Sequence, residues 1–507
     1  MSGLRRALVP CLLTACLLAA PMLADQPNIL FLMSDDHAAH ALGAYGGRLK
    51  VLDPTPALDR LAGEGMLFEN AFCTNSICTP SRATLLTGQF SHVNGVTTLS
   101  GHLEGDRQYV ANLVRDAGYQ TAMVGKWHLK RQPAFDYYCV LPGQGSYFNP
   151  VMRESGGRWP DHVRRFSAYD SVHSTDAIVK ASIDWLKQRD RERPFFLMTH
   201  FKAPHDNFEN AERYDFLFDD IAIPEPESLW RVPNHGSEAT RGAGTSVGRR
   251  NTRRNMGHHM FVDPGLAAEA YKRTAYQRYL KKYLRTVRGV DDGVAQLLEH
   301  LRRDGELDKT VVIYTSDQGF MLGEHDYIDK RWMYEESMRI PLLVRHPELV
   351  GAGSRSEAIV NNTDFAPTLL ALAGMKAPPF MQGRSLVPLL EGEVPDDWRT
   401  ATYYRYWMNY AHHDVPAHFG VRTGDFKLIF FYGLPLDAPG AKTADTQPGW
   451  ELYDLRVDPG ESRNVYGDAA YADVANELKT ELRRLKDETG DTDEKFPELM
   501  EVLRKHW

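Results

Sequence analysis

Short continuous runs of apolar residues recur along the first two thirds of the chain, and polar residues follow each run at once. The four clearest runs are 28–33, 121–124, 195–198 and 311–314. Apolar runs of this length, without polar alternation, are typical of strands buried on both faces of a parallel sheet. Between them, residues 108–117, 176–190 and 365–372 have the apolar spacing of amphipathic helices. This alternation predicts an α/β fold, a mostly parallel sheet flanked by helices.

The pattern changes after about residue 378. Residues 403–407, 419–422, 426–430 and 451–455 have the composition of antiparallel strands joined by turns. Residues 469–488 then form a closing amphipathic pattern. A chain of 507 residues is too long for one simple core. We therefore predict a catalytic domain over 25–377 and a smaller C-terminal α+β domain, built on an antiparallel sheet, over 378–507.

The first residues have the pattern of an export signal. Arg5 and Arg6 precede an apolar run over 7–20, and small residues end at Ala24. The pattern predicts a secretory signal peptide over 1–24, since the run is too short to span a bilayer. The segment that ends at Cys16 loosely resembles a lipoprotein box, but the apolar run continues past it. We expect ordinary cleavage and a periplasmic or secreted protein without a transmembrane anchor.

Charge and cysteine count exclude some functions and leave others open. The formal net charge of −8 is unfavourable for non-specific binding of nucleic acid. Beyond the predicted signal lie three cysteines, Cys73, Cys78 and Cys139. An odd number leaves at least one unpaired, and whether Cys73 and Cys139 pair stays open. No zinc pattern accompanies them.

An arginine-rich stretch over 241–259 interrupts the α/β pattern. Its arginines lie among glycine, serine and asparagine and are followed by a pair of histidines. The stretch is either a solvated surface insertion or a basic lip that contacts a polyanionic substrate.

Polar side chains stand where the predicted strands end. They include Asp35 and Asp36, Lys126 and His128, His205, and Asp317 with Gln318. Ligands of open α/β sheets bind beyond the carboxyl ends of the strands, so we expect these side chains to converge. Each aspartate alone could be a helix cap or a turn residue. Together, three carboxylates and an amide oxygen suit Ca²⁺ or Mg²⁺ better than zinc, and without a cation they would repel one another.

The segment Cys78-Thr79-Pro80-Ser81-Arg82 is the most specific motif in the chain. Pro80 suits the first turn of a helix, because it lacks the N–H that would go unpaired there. A helix over about 80–86 would direct its free N–H groups and positive dipole end towards residue 78, which predicts an anion site. Arg82 lies one turn further in, where it can reach the same anion.

This Cys-x-Pro-x-Arg segment resembles the signature of the type I, formylglycine-dependent sulfatases, and residues 451–461 resemble their C-terminal signature. The resemblance implies an alkaline-phosphatase-like fold and oxidation of Cys78 to formylglycine by a maturation enzyme. It also implies one divalent cation, usually calcium, bound by the formylglycine, the three aspartates and Gln318. Many family members have asparagine at the position of Gln318, so this ligand departs from the common pattern.

The resemblance also assigns roles to individual side chains. It implies that Lys126 and Lys330 bind sulfate, that His128 contacts the formylglycine, and that His205 protonates the leaving alcohol. Residues 403–423 resemble the second-domain segment of N-acetylglucosamine-6-sulfatases, which implies that His413, His418 and Arg422 face the sugar. Equally, these side chains could belong to the core of the predicted strands.

The function expected from these residues is hydrolysis of a sulfate ester on a sulfated carbohydrate. Two alternatives stay open. A phosphate or phosphonate ester hydrolase of the same superfamily can carry the same Cys-x-Pro-x-Arg motif. A non-catalytic binder of sulfated glycans would instead keep Cys78 unmodified.

Overall fold

A computed structural model of the chain describes residues 26–167, 171–230, 236–248 and 262–507. The predicted signal peptide and the arginine cluster at 249–254 lie outside the described residues. The expectations for an export signal and for a basic lip therefore stay predictions.

A ten-stranded mixed sheet forms the centre of the fold, in the order β13-β2-β12-β9-β1-β8-β4-β5-β6-β7. The strands of the whole chain are β1 Asn28–Asp35, β2 Met66–Phe68, β3 Ala71–Phe72, β4 Gln120–Lys126, β5 Tyr137–Leu141, β6 Val151–Glu154, β7 Val163–Arg165, β8 Phe195–Pro204, β9 Thr310–Ser316, β10 Met321–Leu322, β11 Ile328–Asp329, β12 Leu342–Arg345, β13 Ser354–Ser356, β14 Val360–Asn361, β15 Ala401–Tyr406, β16 His418–Thr423, β17 Phe426–Phe431 and β18 Gly449–Asp454. The four apolar runs of the sequence fall in β1, β4, β8 and β9, which are neighbours and run parallel.

Helices cover both faces of this sheet, because its central strands are apolar on both sides. Every residue of β1 and of β8 is buried. The helices are α1 Pro56–Glu64, α2 Cys78–Thr87, α3 Ser91–Asn94, α4 Tyr109–Asp116, α5 Ser174–Gln188, α6 Ala268–Arg303, α7 Glu335–Met338, α8 Phe365–Leu372, α9 Val387–Leu390, α10 Ala472–Thr489 and α11 Pro497–His506. This architecture confirms the predicted α/β fold.

A second sheet of four antiparallel strands, β15-β16-β17-β18, follows in the C-terminal part. Alternate side chains of its strands enter two cores. Phe419 and Phe430 pack with α10 and α11, while Tyr404 and Phe431 join the core that contains β1 and α2. The sheet is thus buried on both faces, and the antiparallel sheet predicted for the C-terminal part is confirmed. The boundary at 377/378 itself stays a prediction.

The longest helix, α6, was not expected from the sequence. It runs for 36 residues, and two glycines interrupt its pattern. The structure gives a reason for one of them: a Cβ at Gly293 would lie 3.0 Å from Val179 in α5. The glycine therefore allows a close approach of the two helices, which only their packing reveals.

Gly125 gives a test of how tightly β4 and β8 are held together. Its φ is +101°, and a Cβ there would lie 1.9 Å from the carbonyl oxygen of His200 in β8. Gly118 has a similar φ of +96°, yet nothing lies within 4 Å of its Cβ position. Both alanine substitutions should incur backbone strain of about 1–3 kcal/mol. Gly125→Ala should lower the free energy of unfolding by about 1–3 kcal/mol more, because its Cβ collides with the carbonyl oxygen. Equal losses in denaturant unfolding would show that the strands can separate at low cost.

Candidate active site

The central strands bring the predicted polar residues to one edge of the sheet. β1 ends at Asp35, β4 at Lys126 and β8 at Pro204, directly before His205. β9 ends at Ser316, directly before Asp317. Because these strands are adjacent and parallel, their carboxyl ends meet as the sequence predicted.

Helix α2 places Cys78 at the same edge. The helix begins at Cys78 itself, and the preceding Ile77 has extended backbone angles and no side-chain cap. The free N–H groups of the first turn and the positive end of the helix dipole therefore lie around residue 78. The Cys78 thiol donates to the Asp35 carboxylate at 3.6 Å and lies 3.8 Å from the amide nitrogen of Gln318.

Three carboxylates form a cluster next to Cys78. Oxygens of Asp35, Asp36 and Asp317 lie within 4.8 Å of one another, and all three residues are buried. Three cationic side chains surround them: Arg82 and Lys126 contact Asp35, Arg82 also contacts Asp317, and Lys330 lies 2.6 Å from Asp36. Buried charges require such compensation, so neither set is stable at this place without the other.

The positions of the charges shift the pKa of the carboxyls in opposite directions. Burial raises the pKa of Asp35, but the charges of Lys126, His205 and Arg82 outweigh it and hold that pKa well below the usual range. Burial and the neighbouring Asp35 raise the pKa of Asp317 to about 7. The cluster therefore holds excess negative potential beside Asp317, which a divalent cation would offset.

The donor set fits a hard cation. The three carboxylates lie together, and the amide oxygen of Gln318 is buried without a hydrogen-bond partner among the described residues. A second group, Asp35, Cys78 and His205, is equally compact. Burial and the Asp35 charge raise the pKa of the Cys78 thiol to about 12, so as a cysteine it is protonated and a poor metal ligand. The oxygen set therefore fits Ca²⁺ or Mg²⁺ better than the mixed set fits zinc.

Arg82 is bound inside the cluster. Its Nε donates to Asp317 at 3.0 Å, one terminal nitrogen donates to Asp35 at 2.9 Å, and the other donates to the backbone carbonyl of Lys126 at 2.6 Å. The side chain is only 2% exposed. Each of its three nitrogens already binds an acceptor, so Arg82 holds the carboxylates in place, and its contact with the substrate anion or with a modified residue 78 stays a prediction.

His205 and Asp206 form a pair that the sequence did not indicate. The Nδ1 of His205 lies 2.7 Å from the backbone carbonyl oxygen of Asp206 and also contacts its carboxylate. Since a carbonyl only accepts, Nδ1 carries the proton, and Nε2 points towards Asp36 at 3.9 Å. Burial raises the pKa of Asp206, but the positive charge of His205 outweighs it and lowers that pKa strongly.

His128 lies behind the helix that carries Cys78. Its Nδ1 is 3.4 Å from the hydroxyl of Thr79, the residue next to Cys78. Burial and the charge of Lys126 lower the pKa of His128 to about 2. A neutral imidazole at this place can accept or donate a hydrogen bond, and its contact with a formylglycine at residue 78 stays a prediction.

A cavity of about 270 Å³ opens over Cys78, His205 and Lys330. The predicted His413 lines it as well. Its further lining residues, which sequence reasoning did not single out, are Ile77, Leu99, Gln144, Asp206, Asp329, Arg331 and His412. Asp329 and Arg331 form an ion pair and both have positive φ, 78° and 89°. The charged run around Lys330 is the feature of the sequence that could have indicated these two residues.

The structure places His418 away from the cavity. It is fully buried, stacks on Tyr404 with ring centres 5.5 Å apart, and donates from Nδ1 to the carbonyl of Pro416 at 2.7 Å. The structure therefore corrects the implied contact with sugar: His418 belongs to the strand core, the alternative that the sequence left open. His418 lies there because the side chains at positions 418, 420 and 422 of β16 face the first domain.

Arg422 lies on the same face of β16 and contacts Glu335 at 3.3 Å and the side chain of Asn70 at 3.2 Å. It lines another cavity, together with His40 and Arg339, which does not include Cys78. Its predicted role in sugar binding is corrected to an ion pair between the two domains.

The cysteines stay apart. Cys73, Cys78 and Cys139 are all free thiols and all buried. The open question of a Cys73–Cys139 disulfide is thus answered: the two residues do not pair in this structure.

Two family models match the chain. The sulfatase model matches residues 27–375, and the model for the C-terminal part of N-sulphoglucosamine sulphohydrolase matches residues 323–488. Together they cover nearly all the described residues. No helix within the described ranges is both long enough and apolar enough to cross a membrane.

Individual relatives extend this match. An N-acetylglucosamine-6-O-sulfatase of Bacteroides thetaiotaomicron is 39% identical over 512 residues, which covers 92% of this chain and 88% of the relative. A protein solved in complex with its substrate D-glucosamine-2-N,6-O-disulfate is 38% identical, with a TM-score of 0.84 over 93% of this chain and 100% of the other. A phosphonate monoester hydrolase from Silicibacter pomeroyi shares the fold, at 22% identity and a TM-score of 0.71 over 92% of this chain and 96% of the other. With its strand-end carboxylates, its helix-start cysteine and these matches, the chain belongs to the sulfatase family, enzymes that hydrolyse sulfate esters.

Proposed function

We propose that the enzyme removes the 6-O-sulfate from a glucosamine residue of a sulfated glycan. It would use a formylglycine made from Cys78 and one divalent cation, Ca²⁺ or alternatively Mg²⁺. The observation that carries the proposal is the meeting of Cys78, three carboxylates and two lysines beside one cavity. The sugar follows from the relatives, one named for N-acetylglucosamine-6-O-sulfate and one solved with a disulfated glucosamine.

Residue 78 would act as the nucleophile only after modification. The hydrated aldehyde of formylglycine supplies one hydroxyl that attacks sulfur and a second whose deprotonation releases sulfate, which a thiol cannot do. Cys78 is 1% exposed, and all of α2 is buried. A maturation enzyme would therefore act before this region folds, and we propose such an enzyme as a partner of the chain. We also propose that the protein is exported to the periplasm or the medium.

The sulfate group would be held by positive charge from three directions. Lys126 and Lys330 flank the carboxylates, and the first turn of α2 directs its N–H groups at residue 78. Such preorganised charge stabilises the negative sulfuryl oxygens as they develop in the transition state. A bound divalent cation would add further positive charge beside the nucleophile.

His205 is placed to protonate the departing sugar oxygen. It lines the cavity, and its Nδ1 proton is donated to Asp206, so Nε2 is the nitrogen that can exchange a proton with substrate. Asp206 also stabilises the imidazolium that must precede proton transfer. An imidazole suits this role because it can both hold and release a proton.

The rest of the cavity suits a single polar ring. Gln144, Asp329, Arg331 and His413 surround it with donors and acceptors for hydroxyl groups. A phosphonate monoester hydrolase shares the fold, so the reaction is tested by comparing rates on matched sulfate and phosphonate esters. Faster hydrolysis of the phosphonate would reverse the assignment.

The modification of residue 78 can be measured directly. A peptide that spans Cys78, taken from enzyme expressed with a maturation system, should have the mass of the aldehyde or its hydrate. Cys78→Ala should reduce turnover below detection while the protein stays folded. Cys73→Ala is the matched control, since Cys73 is an equally buried free thiol five positions away, and it should keep activity. An active protein whose Cys78 remains a thiol would contradict the mechanism.

The cation can be tested through Asp317. Asp317→Asn keeps the size of the side chain but removes its charge, so affinity for Ca²⁺ should fall by more than the roughly 10–100-fold typical for an outer-shell partner. Asp291→Asn is the control, because Asp291 is a buried carboxyl that binds the backbone N–H groups of Ala57 and Leu58 instead. It should keep full Ca²⁺ affinity in calorimetric titration. Finding zinc, or no metal, in active enzyme would refute the oxygen-ligand site.

The acid role of His205 predicts a dependence on the leaving group. His205→Ala should lower the rate on a sulfated sugar by about 10²–10⁴-fold, since an alkoxide leaves poorly without a proton. The loss on 4-nitrophenyl sulfate should be much smaller, because nitrophenolate needs no proton. Lys126→Ala should impair both substrates alike, as it contacts the group that they share. Equal losses for His205→Ala would reassign His205 to sulfate binding.

A further inference from the structure

Asp36 has an unusual backbone conformation for a metal ligand. Its φ is +71°, in the left-handed region that residues other than glycine adopt with strain. This turn directs the carboxylate into the cluster with Asp35 and Asp317. A strained residue persists at a functional site only where its surroundings fix it. The ligand geometry therefore depends on what holds residues 36–38.

The hydroxyl of Tyr283 bridges both ends of this turn. It donates to the backbone carbonyl of Asp36 at 2.7 Å and accepts from the backbone N–H of Ala38 at 2.9 Å. Two further contacts come from the end of β9: Asp36 N–H donates to Asp317 at 3.3 Å, and His37 N–H donates to Ser316 at 2.9 Å. Of these contacts, the bond from Tyr283 alone uses the Asp36 carbonyl, whose orientation sets ψ of the strained residue.

The ring of Tyr283 is itself held firmly. It is fully buried and stacks on Phe320, with ring centres 5.8 Å apart and planes 7° from parallel. Phe320 follows Gln318 by two residues, so the stack connects α6 to the loop that carries the amide ligand. Tyr283 thus joins α6 to the ends of both β1 and β9.

We propose that Tyr283 is a positioning residue for the divalent cation, which it serves by holding Asp36 in its left-handed conformation. The inference rests on the metal site of the proposed function. Removing the hydroxyl would leave a buried carbonyl and a buried N–H without their partner, and the turn would relax to other backbone angles. The Asp36 carboxylate would then spend less time in the geometry that binds the cation.

Tyr279 provides a matched control on the same helix. It lies one turn earlier, is 1% exposed, and packs on Phe208 and Phe320. Its hydroxyl also donates to a backbone carbonyl, that of Met321 at 2.6 Å. The two tyrosines therefore make the same type of anchor, but only Tyr283 holds a residue of the carboxylate cluster.

The test compares Tyr283→Phe and Tyr279→Phe with the wild type in metal-stripped protein. Calorimetric titration with Ca²⁺ should show affinity reduced by about 10–100-fold for Tyr283→Phe, the usual effect of losing an outer-shell partner. Tyr279→Phe should bind Ca²⁺ like the wild type. The unfolding temperature in chelator should fall in both variants, and further in Tyr283→Phe, because that variant loses two buried hydrogen bonds and Tyr279→Phe loses one. Saturating Ca²⁺ should restore turnover to Tyr283→Phe.

The results distinguish failure of the positioning role of Tyr283 from failure of the metal site. Wild-type affinity in Tyr283→Phe, or an equal loss in Tyr279→Phe, overturns the positioning role alone. A wild-type protein that binds neither Ca²⁺ nor Mg²⁺ overturns the metal site and the positioning role with it. Because the second outcome is read from the wild type and the first from the variants, the two failures are distinguishable.

Discussion

Three buried carboxylates and three buried cations compensate one another at the centre of the site, and the geometry of the site requires this balance. Asp35, Asp36 and Asp317 come from the ends of two strands, while Arg82, Lys126 and Lys330 come from a helix, a third strand and a loop. A buried charge without a partner is strongly unfavourable. These elements are therefore stable only where they meet, and the same charges then attract an anionic substrate and a divalent cation.

The cationic side chains have different roles because their shapes differ. The guanidinium of Arg82 is planar and donates in fixed directions, which suits it to join Asp35, Asp317 and the Lys126 carbonyl at once. It fixes the carboxylates and is left with little capacity for substrate. Lysines carry a compact charge on a flexible stem, so Lys126 and Lys330 are better able to adjust to a sulfate group.

The C-terminal sheet completes the site indirectly. Its loop brings His412 and His413 to the cavity, whereas its inner face buries polar side chains against the first domain. There Lys427 lies 2.9 Å from Glu335 and 2.7 Å from Glu461, and Arg422 also contacts Glu335. The two ion pairs with Glu335 join the two parts of the chain and so keep the histidine loop in place over Cys78.

Local signals in the sequence were sufficient to predict the four central strands, the strand-end carboxylates and a helix beside Cys78, because apolar runs and a helix-start motif act over a few residues. They could not determine which face of β16 meets the first domain, and so they left open whether His418 and Arg422 face the sugar or the core. They also gave no sign of Asp206 beside His205 or of Tyr283 beside Asp36, since these partners are far apart in the chain or ordinary in type. The contact of Asp206 with His205 depends on the local backbone conformation, which turns the carboxylate towards the ring. The role of Tyr283 arises only when packing brings its buried hydroxyl to the backbone of Asp36 and Ala38, which is a property of the tertiary structure.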